Sequence, residues 1–250
     1  MTALALPTRK DEAWRYSDLE EAARVWSVDE PKRLIVGAGE RLALAVLQDA
    51  PSDEPVILDH VVEIGAGGAL DVHLLNLGGS LGRVTFDVRL SQGAHFGLRA
   101  ALIGAGAQTI ELVTTLRHAA PDATSDQIVR AIAADRATTN YLGQVRVARG
   151  AQKTDAAQSF KAMLLDRTAS ANARPELEIF ADDVKCAHGA SVGELDRAAL
   201  FYMASRGLEP ARAKALLLEA FIAGLFDDMG DAAERDRFHE AARAALEVLS

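Results

Sequence analysis

The sequence predicts a mainly β protein, a parallel β-helix or solenoid, with a short helical segment before it and a small helical domain after it. Three observations carry this: a long glycine-punctuated stretch of short β-like runs, an internal repeat within that stretch, and a change to helical periodicity near residue 194. The expected organisation is a helical segment over 1–32, a solenoid core over 33–193 and a helical domain over 194–250.

Between Asp11 and Trp26, residues Leu19, Ala22 and Trp26 recur at helical spacing among charged residues, and Pro31 is expected to end that helix. From about Arg33 the runs are RLIVGAG, VILDHVVEIGAG, LDVHLLNLGG, RVTFDVRL, TIELVTTLRH, QIVRAIAAD, YLGQVRVARG, SFKAMLLD and LEIFADDVKCA. Glycines separate them, where bends and left-handed conformations come easily. No convincing long helix interrupts them, which disfavours a doubly wound α/β fold, because parallel strands there need crossover helices.

The repeat has the form valine, basic residue, three residues, glycine, alanine, and starts at Val88, Val145 and Val184. Its intervals of 57 and 39 residues suggest a coil of about 19 to 20 residues. A coil cannot bury its inner face alone, so neighbours stack, and terminal helices are expected to cap the ends.

After Glu194 the pattern turns helical. Asp196 suits the N-cap of a helix carrying Leu200, Phe201 and Ala204, with Gly207 past its end. Pro210 suits the first turn of a second helix, expected from Ala211 to about Met229, with apolar residues on more than one face. Asp231 and Glu234 resemble a capping box opening a third helix with a stripe of Phe238, Ala242, Ala245 and Leu249.

Composition bounds the function. Hydrophobic residues at 49% and charged residues at 25% describe an ordinary globular chain, and a net charge of -9 disfavours nucleic acid or an anionic membrane as partner. The opening residues lack a basic n-region and no uncharged stretch is long enough to span a bilayer, so a cytoplasmic location is expected. The single cysteine, Cys186, excludes an internal disulfide and fits a reducing compartment. With no Gly-Lys dipeptide there is no Walker A loop, and the pairs Gly37/Gly39, Gly65/Gly67 and Gly104/Gly106 lack the third glycine of a dinucleotide fingerprint, so they read as turns.

Cys186 and His188 sit two apart in a strand-like run, so both leave the same face, where a thiolate beside an imidazole suits iron or another thiophilic metal. Against this stands a plainer reading, with Cys186 a small buried hydrophobe and His188 a strand-end polar residue. Lys185 would lower the thiol pKa if it lay close. One cysteine cannot hold a cluster, so any cluster site borrows ligands from another chain. His73, His95 and His118, spaced by 22 and 23, suggest a ladder over successive coils, with outward, solvated histidines the commoner outcome. Gly189 to Gly193 has the G-x-S-x-G form of a hydrolase elbow, with Ser191 as nucleophile and His239 and Asp227 or Asp228 downstream, yet the helix-free stretch before it is a poor setting for an elbow.

Two blocks carry a resemblance. Pro7 to Leu19, PTRKDEAWRYSDL, looks like the opening motif shared by the SufB and SufD families, and Arg174 to Gly207, RPELEIFADDVKCAHGASVGELDRAALFYMASRG, is similar to the SufD signature, continued by a long helix from Pro210. The chain is thereby identified as a member of the SufB/SufD family of iron-sulfur cluster assembly scaffolds. The resemblance implies a right-handed parallel β-helix that is not itself an enzyme, pairs with SufB through the solenoid edge and recruits the SufC ATPase through its C-terminal helices. It implies that no cofactor is held stably by this chain alone, and that a nascent iron-sulfur cluster is shared with SufB. His188 would ligate or position iron or sulfur at that interface with Cys186 in support. The ATPase contact would map onto Phe201, Tyr202, Arg206, Gly207, Leu208, Pro210, Ala211, Leu217 and Phe221. Many relatives carry a longer helical region before the solenoid, so what that region does, flavin association included, does not carry over. The alternatives are a serine hydrolase built on Ser191 and His239, and a self-associating β-helix without metal chemistry; a homodimer formed in isolation fits either scaffold reading.

Overall fold

The computed structural model describes residues 6–26 and 30–249. Twelve strands, β1 (Lys32–Val36), β2 (Arg41–Gln48), β3 (Val56–Ile64), β4 (Ala69–Asn76), β5 (Leu81–Leu90), β6 (His95–Gly104), β7 (Thr109–His118), β8 (Thr124–Ala133), β9 (Thr138–Val147), β10 (Asp155–Leu164), β11 (Ser170–Ile179) and β12 (Lys185–Glu194), wind into six two-stranded coils. Odd strands form one parallel six-stranded sheet and even strands the other, so the mainly β solenoid predicted from the sequence is what forms. Alternate residues point inward, and Val84, Phe86 and Val88 of one sheet meet Phe96, Leu98 and Ala100 of the other in one continuous core. Aromatic pairs span it, Phe86 with Phe96 at 6.5 Å and Tyr141 stacked on Phe160 at 5.5 Å.

The coil is longer than the repeat suggested. Equivalent residues in neighbouring coils lie 26 to 32 positions apart, from Val56 beside Gly82 to Thr138 beside Ser170. The 57-residue interval is two full coils, since Val88 stacks on Leu116 and Leu116 on Val145. Val184, just before β12, belongs to the other sheet, so the third copy of the repeat is not an equivalent position.

One line of turns is held by residues in the left-handed region: Gly39, Gly67, Gly93, Asp122 and Lys153, with φ between +61° and +68°. The first four donate their N–H groups to the next coil, on Ala66, Gln92, Pro121 and Gln152 at 2.8 to 3.0 Å. Glycine takes this conformation freely, which is why the early turns read clearly as turns and the last two did not.

The terminal helices do not cap the ends as expected; they lie on the flanks. The predicted helix from Asp11 to Trp26 is split into a 3-10 turn, Glu12–Trp14, and a helix α1, Leu19–Arg24, which Asp18 caps by accepting from the Glu20 and Glu21 amides. It ends well before Pro31, and the break falls where Ser17 is drawn into a buried pair on the first sheet. Arg83 and Glu111, both buried on that sheet's outer face, bond at 2.6 Å; Ser17 Oγ donates to Glu111 at 2.5 Å, and Arg83 stacks 3.7 Å from the Trp14 ring centre. Asn140 donates to Glu111 and to the Tyr16 carbonyl, and Arg174 pairs with Glu12.

After the solenoid come α2 (Arg197–Ser205), α3 (Pro210–Ile222) and α4 (Ala232–Val248). Asp196 and Asp231 cap α2 and α4 as read from the sequence. Helix α3 stops short of Met229 because Gly224 turns left-handed at φ +81°, and Leu225, Phe226 and Met229 bury themselves from the loop beyond it. Helices α3 and α4 seal the outer face of the second sheet, packing Leu218, Ile222 and Phe238 onto Leu75, Ala101 and Ile132, so the helical unit shares a core with the solenoid.

His118 faces the interior, its Nε2 3.0 Å from Ser125 Oγ, and burial pushes its pKa down to about 4. The unfolded chain takes up a proton near pH 6.5 that the folded chain refuses, so stability is full above that pH and is lost as pH falls toward 4. This group alone is expected to remove about 2 kcal/mol between pH 7 and pH 5 in urea unfolding, and His118→Gln is expected to flatten that slope.

Candidate functional site

Strand β12 closes the last coil and pairs on one side only, with β10; β11 ends the other sheet in the same way, so among the described residues no strand continues either ladder. The alternation that buries Ala156, Gln158 and Phe160 of β10 turns Cys186, His188 and Ala190 of β12 inward above them, in register. Cys186 is half-buried against the main core, while His188 is exposed at the open end. The expectation that both leave one strand face is met, and that face looks into the mouth of the solenoid.

At two inward positions the last coil carries a small side chain over a large one: Ala190 over Phe160, and Ala173 over Tyr141. Buried Gln158 lies directly beneath His188 at this open end. The rim is apolar, with Ile179, Phe180 and Val192 all exposed, Phe180 at 56%. An unpaired edge beside exposed hydrophobic groups is a ready template for another chain.

Lys185 does not activate the thiol. It points to the opposite strand face, and burial, aided by the Asp155 carboxylate, pushes the Cys186 pKa up. The residue is held as a thiol until something displaces its proton.

The hydrolase elbow is not formed. Gly189 to Gly193 lies wholly inside β12 and Ser191 leaves its outward face beside Lys161, whereas an elbow needs a sharp turn into a helix. His239 sits on α4, 3.5 Å from Asp227, and Asp228 is taken by His73 at 2.7 Å. The histidine ladder is absent too. His73 is buried on the outer face of the second sheet under the α3–α4 loop, His95 is offset from it and bonds Thr124, and His118 lies in the other sheet. Two of the three are buried rather than solvated, and among the described residues no three histidine, cysteine or acidic groups converge on a metal position. The glycine pairs at 37/39, 65/67 and 104/106 mark inter-strand turns, as read.

A second surface lies on the helical unit. Phe201 and Tyr202 of α2 are 76% and 59% exposed, with Arg206 over the Tyr202 ring at 5.3 Å and Gly207 at φ +86° turning the chain toward α3. Leu200, Phe201, Ala204, Pro210, Ala211 and Lys214 line a groove of about 590 Å³ between the two helices. Leu208 and Leu217 are half-buried, and Phe221 is packed against the core beneath α3, so it supports the surface from below.

Fold and site together define an open-ended parallel β-solenoid that carries its candidate functional groups on an unpaired edge. Residues 27–221 match the family described as SUF system FeS cluster assembly, SufBD core domain, and the chain belongs to that family. It is similar to the iron-sulfur cluster assembly protein SufD of Escherichia coli, 36% identical over 118 residues, covering 47% of this chain and 28% of the relative. A SufBD family iron-sulfur cluster assembly protein of Synechocystis is 32% identical over 167 residues, covering 66% and 37%, and SufD of Bacillus subtilis 28% identical over 156 residues, covering 62% and 36%. The chain thus spans about a third of the length of the curated relatives it matches. No helix among the described residues is long and apolar enough to cross a membrane.

Proposed function

We propose that this chain is a non-catalytic scaffold subunit of the SUF machinery, pairing through its open last coil with SufB and holding the SufC ATPase on α2 and α3. The observation that supports the reading is the unpaired edge of β11 and β12, where His188 and Cys186 lie among exposed apolar residues. A nascent iron-sulfur cluster is the substrate of that interface. With one cysteine in the chain, thiolates must come from SufB, and His188 and Cys186 supply the groups on this side. The α2–α3 groove, flanked by exposed Phe201 and Tyr202, suits an apolar knob on the ATPase, the aromatic-rich kind of patch that carries binding energy. A free thiol at Cys186 accords with the reducing cytoplasm.

The test is co-expression with SufB and SufC, purification through a tag on this chain, and anaerobic assay of iron and sulfide, with His188→Ala alongside. A complex that holds iron and sulfide and loses them in His188→Ala is the expected result. Failure of SufB and SufC to copurify sinks the scaffold reading. A variant that keeps its cluster leaves a scaffold in which His188 is structural, and self-pairing of this chain in preference to SufB favours the self-associating solenoid.

A further inference from the structure

Below His188 the core is polar in a way that neither family membership nor the sequence motif accounts for. Gln127 of β8, Gln158 of β10 and His188 of β12 occupy one inward column, each beside the next in register. Gln127 is fully buried and Gln158 is 3% exposed. Gln127 Oε1 accepts from Thr114 Oγ1 at 2.8 Å and from the Tyr141 hydroxyl at 3.4 Å. Three atoms of the two carboxamides are left without partners: Gln127 Nε2, Gln158 Oε1 and Gln158 Nε2. Buried amides rarely go unpaired, and rungs about 4.8 Å apart suit carboxamides that bond along a column. The molecule already builds one such ladder on its other sheet, where Asn172 donates to Asn140 at 2.8 Å and Asn140 to Glu111 at 2.6 Å.

The bottom of the column sets its direction. Two hydroxyls donate into Gln127 Oε1, and burial pushes the Tyr141 pKa up, so that hydroxyl keeps its proton. The Gln127 amide nitrogen and, one rung up, Gln158 Oε1 are then the unpaired donor and acceptor that a bond along the column would join. With that bond made, Gln158 would have its N–H to offer to the inward nitrogen of the His188 ring, one rung further up. A neutral imidazole has one N–H, and the bond accepted by one nitrogen fixes the proton on the other.

We propose that Gln158 is the positioning residue of His188, joining it to Gln127 in one hydrogen-bonded ladder that leaves the outward ring nitrogen protonated. His188 then offers an N–H donor to an anionic sulfur, a sulfide or a thiolate, rather than a lone pair to iron. The ladder stands on this chain alone; the identity of the ligand rests on the scaffold reading.

Two measurements test it. In the chain alone, labelled with ¹⁵N-histidine, long-range proton–nitrogen correlation at pH 8 is expected to give His188 as a single neutral tautomer, its signal assigned by its loss in His188→Gln. Gln158→Leu, of similar volume and checked for an unchanged fold by its amide spectrum, is expected to return His188 to the tautomer mixture of a free imidazole. A free mixture in the wild-type chain overturns the ladder, as does a tautomer indifferent to Gln158→Leu. In the SufB–SufC complex, His188→Ala is expected to lower retained sulfide about ten-fold, the worth of one hydrogen bond to a charged group. His188→Gln keeps an N–H donor and is expected to retain most of it. Equal losses in the two variants overturn the donor role, and if no complex forms the sulfur assignment falls with the scaffold reading while the tautomer result still decides the ladder.

Discussion

Replacing Arg83 with alanine is expected to lower the unfolding free energy by about 3 to 5 kcal/mol, because it strands the fully buried Glu111 carboxylate beneath the N-terminal segment. The guanidinium bonds Glu111, Ser17 Oγ and the Ala13 carbonyl and stacks on Trp14, so its loss also unseats residues 12–18. Trypsin is then expected to cut at Arg9, Lys10 and Arg15 faster than in the parent chain. The double variant Arg83→Met/Glu111→Leu is expected to be less costly than Arg83→Ala, since removing both charges leaves no uncompensated ion. Urea unfolding of the single and double variants measures this, and additive losses would refute the account.

Phe226→Ala is expected to cost about 3 to 5 kcal/mol, the range for deleting a buried phenyl ring. Phe226 is 1% exposed, packs edge-on to Phe238 at 5.1 Å and lies beside His73, so it ties the α3–α4 loop to the second sheet. It does not line the α2–α3 groove. Its loss is expected to lower the urea midpoint, and to lower SufC recovery only through that loss of stability. Phe201→Ala is the informative contrast: at 76% exposed it is expected to change stability by less than about 0.5 kcal/mol while abolishing SufC recovery. If Phe201→Ala binds SufC normally, the groove is not the ATPase site.

Much of the solenoid was legible because the later strands carry β-branched and aromatic residues between glycines. Strands β2, RLALAVLQ, and β6, HFGLRAALIG, are ambiguous in the sequence, since leucine and alanine serve a helix equally well and only pairing with β4 decides them as strands. The repeat hides the coil length because its first two copies lie two coils apart in one sheet and its third falls in the other. At the site, the Cys186 and His188 spacing was visible because it is local. Gln127, Gln158 and the Arg83–Glu111 pair were not, since residues about 30 positions apart become neighbours only once the register is known.

The docking of residues 12–17 has a consequence for how the chain emerges during synthesis. Ser17 bonds Glu111, 94 residues later, the Tyr16 carbonyl is bonded from Asn140, 124 residues later, and Glu12 pairs with Arg174 in the last coil. Residues 12–17 have no seat until the third to sixth coils have formed, while each coil can stack on its predecessor as it leaves the ribosome. Residues 12–17 thus settle after the coils that follow them in the chain, and fasten coils whose order was fixed without them.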